Sequence, residues 1–188
     1  MKISILLPYK ENFSPVYAGA VSLFVKDTVK LSKYKKNITV FGNTNLRNIF
    51  RLKYKNIILK KNILQSGSKT YVNEFLKHEK KDPSDLIEIH NRPNYFHLIN
   101  KNKKYQKIVL YFHNDPLTMT GSRSINERKK LLSDVTKIIF NSHWSRKRFL
   151  EGIVGLNINS EKLNVIYQST NPKKVNLNEK KKMDYFCR

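Results

Sequence analysis

The stretch Lys107-Ile-Val-Leu-Tyr-Phe-His-Asn-Asp-Pro116 poses the central question of this chain. An apolar run of strand length ends abruptly in a histidine, an amide, a carboxylate and a proline. A turn that merely leaves a sheet does not need His113, Asn114 and Asp115 side by side. In an open parallel sheet, however, ligands bind outside the carboxyl ends of the strands. Whether these three residues carry chemistry therefore depends on the kind of sheet that holds them.

The neighbouring segments answer that. Upstream, Leu86-Ile-Glu-Ile89 runs into His90-Asn91-Arg92; downstream, Lys137-Ile-Ile-Phe140 runs into Asn141-Ser142-His143-Trp144. Further out lie Ile3–Leu7 before Pro8, Ile38–Phe41 before Gly42, Asn56–Leu59 and Leu163–Tyr167. Helical signals separate these runs. Tyr17, Val21, Phe24, Val25, Thr28 and Leu31 recur at helical spacing across Tyr17–Tyr34. Val72, Phe75 and Leu76 share a face of a helix opened by Ser68. Pro93 suits a first helical turn, where its missing N–H has no partner to lose. Ser124-Ile-Asn-Glu127 has the form of a capping box, and Ser142 caps a helix that reaches Leu150. Strands alternating with helices at this spacing predict βαβ units. The result is an α/β domain with a doubly wound, mostly parallel, Rossmann-like sheet covered on both faces. The strands read as continuous apolar runs, as burial on both faces demands. That domain is expected to span residues 1–170. The polar, lysine-rich remainder, 171–188, reads as a linker and tail, with Pro172 near its start.

Composition bounds the function. With 39% hydrophobic residues and ten each of Tyr and Phe, the chain has enough apolar mass for a core, which excludes wholesale disorder. The single cysteine, Cys187, excludes a disulfide framework and a cysteine zinc site, and favours a reducing compartment. Ile3–Leu7 is too short for a signal peptide, and no apolar run reaches the ~18 residues of a membrane span. The formal charge of +23, with a pI near 10.1, admits three readings. Lysine and arginine could neutralise nucleic-acid phosphates, or meet an anionic membrane or substrate. Alternatively, an AT-rich genome could simply supply surface lysines. The lysines are spread along the whole chain, whereas a nucleic-acid module usually concentrates them on one face.

The strand ends hold three of the chain's five histidines: His90, His113 and His143. At His113 the functional reading is a polar or proton-handling group aimed at a ligand; the alternative is a packed ring. Asp115 could contact a ligand or cap the turn before Pro116. Asn91-Arg92 suits a phosphate or carboxylate, against a plain solvated arginine. Gly19, in the first turn of the first helix, marks either an anion or sugar near that helix N-terminus or a tight crossing of helix over sheet. Trp144 is expected to bury against the sheet. Sharper motifs fail. There is no Gly-x-Gly-x-x-Gly after the first strand and no Gly-x-Ser-x-Gly elbow. Gly67-Ser-Lys-Thr70 lacks the Gly-Lys pair of a phosphate loop. No ligand cluster supports a metal.

Taken in order, several segments resemble the N-terminal domain of a family 4 glycosyltransferase of GT-B fold. They are the strand ending at Pro8, Tyr17-Ala-Gly-Ala-Val21, DLIEIHNRPNYF from Asp85, KIVLYFHNDP from Lys107, KIIFNSHWSRKRFL from Lys137 and KLNVIYQSTNP from Lys162. The likeness covers the chain to about residue 173. It implies a retaining, hexosyltransferase-class enzyme that moves a sugar from a nucleotide-sugar to an acceptor, as in lipopolysaccharide or other cell-envelope glycan synthesis. It implies that His113 is the catalytic-site histidine facing the transferred sugar. Gly19, His90, Asn91 and Arg92 would shape the acceptor end of the cleft, joined by Asn114 and Asp115. Family members have two glycines where this chain has Ala18-Gly19, so only Gly19 matches. Ser142 would keep its capping role. No metal or other cofactor is implied, the nucleotide-sugar being a co-substrate. The second, donor-binding domain is not recognisable in these residues, which implies an acceptor-binding half that is inactive alone. The implied location is cytoplasmic, extending to peripheral contact with the anionic inner membrane face. The rival class is a non-enzymatic basic α/β module that binds nucleic acid or an anionic surface.

Overall fold

Among the described residues, seven strands form one sheet in which every neighbouring pair is parallel. They are β1 (Ile3–Leu6), β2 (Ile38–Gly42), β3 (Tyr54–Asn56), β4 (Leu86–His90), β5 (Lys107–Phe112), β6 (Lys137–Phe140) and β7 (Leu163–Val165). The helices are α1 (Ala20–Leu31), α2 (Gly67–Lys81), α3 (Pro93–Asn100), α4 (Ile125–Asp134) and α5 (His143–Leu150). This computed structural model describes residues 1–59, 66–101, 107–155 and 159–168. The expected linker and tail, 171–188, lie outside them.

The strand order is β3-β2-β1-β4-β5-β6-β7, the Rossmann-like α/β arrangement expected from the sequence. The chain runs outward through β1, β2 and β3, then returns to place β4 beside β1. The direction of winding therefore reverses between β1 and β4, and parallel sheets bind ligands at such a switch point.

Side-chain alternation assigns the two faces. Leu6, Phe41, Ile87, Ile89, Ile108, Leu110, Phe112, Ile138 and Phe140 pack with buried residues of α2, α3, α4 and α5. On the opposite face Ile3, Ile5, Ile38 and Val40 pack against Val21, Val25 and Val29 of α1. Each fully buried aliphatic or aromatic side chain contributes roughly 1.5–3 kcal/mol of transfer free energy. Phe112 and Phe140 stack at 5.6 Å, and Phe149 packs tilted against both at 5.4–5.5 Å between centroids, anchoring α5 under β5 and β6.

Four local expectations are corrected. The third strand is Tyr54–Asn56, not Asn56–Leu59, because Val40 to Gly42 pair with Tyr54 to Asn56. The first helix starts at Ala20, not Tyr17. Tyr17 has φ 58° and Gly19 is extended, so neither can sit within the helix. The second helix is capped by Ser66, whose hydroxyl accepts from the Lys69 amide, not opened by Ser68. The central strands are also not apolar throughout. β4 places Glu88 and His90 on the α1 face and Ile87 and Ile89 on the other.

Candidate functional site

β4 and β5 end side by side, with His90 paired to Tyr111 in register. On the α1 face, alternation brings Glu88, His90, Tyr111 and His113 into one column, and Phe24 of α1 closes it. The Phe24 ring lies 5.0 Å from that of His113 and 5.6 Å from that of Tyr111. His90 is fully buried and stacks on Tyr111 at 4.8 Å, with the rings 10° apart.

Polar atoms join this column end to end. His90 Nε2 lies 2.6 Å from Glu88 Oε1, and His90 Nδ1 lies 2.8 Å from His113 Nε2. The Gln168 amide nitrogen reaches the remaining ring nitrogen, His113 Nδ1, at 2.5 Å. Burial first, and then the neighbouring His90, lower the pKa of His113 from the ordinary histidine value to about 3. Its ring is therefore neutral throughout the physiological range. Burial also pushes the Tyr111 hydroxyl up, and the Glu88 carboxylate adds to that.

The backbone around His113 is fixed independently. Asn91 adopts φ 55°; its amide donates to the Tyr111 carbonyl at 2.8 Å, and its side-chain oxygen accepts from the His113 amide at 3.2 Å. From the other side, the Asn141 side-chain amide donates to the His113 carbonyl at 2.7 Å. Ser142 caps α5 by accepting from the Ser145 amide at 3.1 Å, the expected structural role.

The structure places the other expected site residues as follows. His90 and Asn91 are buried, and both contact His113. The Arg92 guanidinium donates to the Asn91 carbonyl at 2.8 Å, bent back onto its own loop. Asp115 accepts from the Leu117 amide at 3.0 Å and pairs with Arg148 at 3.2 Å. That is the turn-capping role weighed against ligand contact. Asn114 is exposed at the rim. Trp144, expected to be buried, is 58% exposed, because Ser145 and Phe149 form the inward face of α5. Arg148 lies over the indole instead, 5.8 Å from its centroid.

Gly19 is the N-cap of α1, and what approaches it closely is the protein itself. The Glu11 carboxylate accepts from the Ser22 amide at 3.1 Å, the job a capping side chain would do. A Cβ at Gly19 would lie 2.0 Å from Glu11 Oε1. Of the two readings of Gly19, an anion or sugar nearby or a tight crossing of helix over sheet, the structure shows a close approach made by the Glu11 side chain.

At the carboxyl ends of β1 to β3 lies a second feature, a polar cleft of about 470 Å³. It is lined in part by Tyr9, Lys10 and the amides of Asn12, Asn43, Asn45 and Asn56. The Tyr9 amide donates to the Tyr95 hydroxyl at 2.9 Å, tying the loop after β1 to α3 across the switch point. Among the described residues no group of three or more His, Cys, Asp or Glu side chains is placed to hold a metal ion. Among the same residues no helix is long and apolar enough to cross a membrane.

Sequence reasoning singled out His113 but not Glu88 and Gln168, which the structure joins to it, nor Glu11. Glu88 had a signal: a charge two residues before His90 must share its face. Gln168 and Glu11 reach the site from distant loops, and no local pattern marks them.

No protein-family profile matches the chain, and no curated protein matches it. Solved structures do. The Anabaena protein HepE in complex with UDP-glucose aligns over 91% of this chain and 45% of its own, with 14% identity and a TM-score of 0.62. A glycosyltransferase of Rickettsia africae aligns over 90% and 44%, with 13% identity and a TM-score of 0.56. A UDP-N-acetylglucosamine 2-epimerase of Rickettsia bellii aligns over 88% and 44%, with 11% identity and a TM-score of 0.53. At these identities the likeness is one of fold. The chain spans about half the length of these three solved chains.

Proposed function

We propose that this chain is the acceptor-side half of a glycosyltransferase of GT-B architecture, retaining and similar to family 4. In this reading it serves transfer of a sugar from a nucleotide-sugar to a cell-surface glycan or lipopolysaccharide-type acceptor. One observation carries the reading. His113 stands at the carboxyl end of a central strand, β5, next to the β4 strand that flanks the switch point, with Nε2 bonded to buried His90 and Nδ1 bonded to the exposed Gln168 side chain. The partner at Nδ1 is an exposed side chain, so a ligand group can take its place at that nitrogen.

His113 would contact the sugar undergoing transfer, with exposed Asn114 beside it. The amide-lined cleft at β1 to β3 would meet the hydroxyls of a saccharide acceptor with the amide groups the fold leaves over: Asn56 bonds Thr44 through both its oxygen and its nitrogen, while Asn43 donates its nitrogen to the Ile57 carbonyl and Asn12 accepts at its oxygen from the Thr44 hydroxyl. The Glu11 carboxylate occupies the start of α1, so the charge on a leaving diphosphate would be met by the donor half. In this reading that half lies outside these 188 residues, on this polypeptide or another. No metal is called for. The high positive charge would favour the cytoplasmic face of an anionic membrane, where lipid-linked acceptors reside.

Two measurements test the reading. In a turnover assay over a panel of nucleotide-sugars, the 188-residue chain is expected to give no sustained transfer; turnover by this chain would refute its being a half. Titration with simple saccharides at moderate salt should shift the backbone amide signals of His113 and Asn114, and His113→Ala should abolish the response at Asn114. Steep, salt-dependent binding of any polyanion without a saccharide response would support a non-enzymatic basic module instead.

A further inference from the structure

The hydrogen bonds from Glu88 to Gln168 admit a consistent assignment of protons. An ionised Glu88 only accepts, so His90 Nε2 carries the proton that it donates. A neutral His90 then has a bare Nδ1, which accepts from His113 Nε2–H. Neutral His113 is left with a bare Nδ1, and there the Gln168 amide nitrogen, which only donates, makes its contact. Every contact in the row has one donor and one acceptor. The charged and titratable groups against His113 are His90, Glu88 beyond it and Tyr111, whose ring lies 5.9 Å away; Phe24 supplies an apolar wall.

We propose that Glu88 and His90 are positioning residues that lock His113 in the tautomer protonated at Nε2. Its Nδ1 then presents a lone pair to the crevice and accepts a hydrogen bond from a ligand hydroxyl. Gln168, exposed and at the edge of the sheet, stands in for that hydroxyl. The inference rests on reading His113 as the ligand-facing histidine, and it adds a direction: the ligand donates. It also explains why β4 spends two inward positions on a carboxylate and an imidazole where aliphatic residues would pack. Without Glu88, His90 can present either nitrogen, and the direction of the His113 hydrogen bond is no longer set. Second-neighbour partners fix histidine tautomers in this way elsewhere.

Long-range ¹H–¹⁵N spectra of the histidine-labelled 188-residue chain near neutral pH read the tautomers directly, with no ligand present. The expected result is that His90 and His113 are both neutral, protonated at Nε2 and bare at Nδ1. In Glu88→Leu the single His113 tautomer should be lost to a mixture, and Glu88→Gln, which keeps an accepting oxygen, should restore it at least in part. A doubly protonated His90, a proton on His113 Nδ1, or a His113 tautomer unmoved in a folded Glu88→Leu would each overturn the proposal. If Glu88→Leu does not fold, the wild-type spectrum and Glu88→Gln decide. Because no saccharide takes part, a wrong tautomer refutes the lock. Correct tautomers with no saccharide response would leave the lock standing and refute the proposed function.

Discussion

His113 is held by its ring and by its backbone, from the ends of both neighbouring strands. The ring is set by His90 of β4, while the backbone is set by Asn91 and Asn141, just beyond β4 and β6. Replacing it has a folding consequence that its strand-end position did not foretell. His113→Ala leaves His90 Nδ1 buried without its partner and should cost about 1–3 kcal/mol in urea unfolding. An unchanged midpoint would mean that water takes the place of the ring. The pH dependence has a definite sign. An unfolded histidine titrates near 6.5, and His113 in the fold titrates at about 3. Between those values the unfolded chain binds a proton that the folded chain refuses. The contribution of His113 is therefore whole above about pH 6.5 and drains as pH falls toward about 3, at up to ~1.4 kcal/mol per pH unit. Stability measured at about pH 7, 5.5 and 4 should fall less steeply for His113→Gln than for the parent. Identical slopes would place the ring in water. The position of His113 was legible because a polar cluster closed an apolar run. The atoms that set its chemistry were not legible, since Gln168 lies 55 residues away in sequence.

At the scale of elements, the start of α1 shows how a long-range contact decides a local boundary. Helical spacing extends back to Tyr17, yet the helix begins at Ala20, because Glu11 folds over Gly19 and caps it. The backbone at Gly19 (φ −74°, ψ 161°) would accept alanine, so the objection to a side chain there is Glu11 alone. Glu11→Ala and Gly19→Ala should each cost about 1 kcal/mol, the usual worth of an N-cap. The double variant should cost much less than the sum, because both changes remove the same contact. Additive losses in thermal unfolding would show that Gly19 is needed for another reason. The capping box at Ser124 and Glu127 and the cap at Ser142 were legible because their partners lie three residues away. The short strand β3 was misplaced by two residues at its start and three at its end, because its edge pairing to β2, not its composition, selects Tyr54–Asn56. Trp144 was misread because α5 spans only eight residues, too few for its inward stripe to be told from the next position round.

For the molecule as a whole, the alternation of apolar runs and helical stripes was enough to specify a parallel, doubly wound sheet. The order of its strands came from the return crossover after β3, which no residue pattern announces. Charge also acts at this scale. With 37 Lys and Arg against 14 Asp and Glu, self-repulsion opposes compactness, while ion pairs such as Lys130–Asp134 at 3.1 Å are exposed and weak. The melting temperature should therefore rise as sodium chloride is raised from about 0.02 to about 0.3 M, across which the screening length shrinks below ~10 Å. A fall would mean that the ion pairs outweigh the repulsion. The pairing of β1 with β4 also governs the way the molecule is assembled. Ile3 lies beside Leu86, across most of half the chain, and Lys2 is bonded to Asp85 over 83 positions. β1 and β2 can associate early, but the inner edge of β1 waits unpaired until the loop through β3 and α2 has closed. Closure of that loop is an entropic barrier that no local contact offsets, so folding belongs in the range of about milliseconds to seconds and is paced by the β1–β4 encounter. Until then the middle of the future sheet is an open strand edge, the part of the nascent chain most exposed to pairing with another copy.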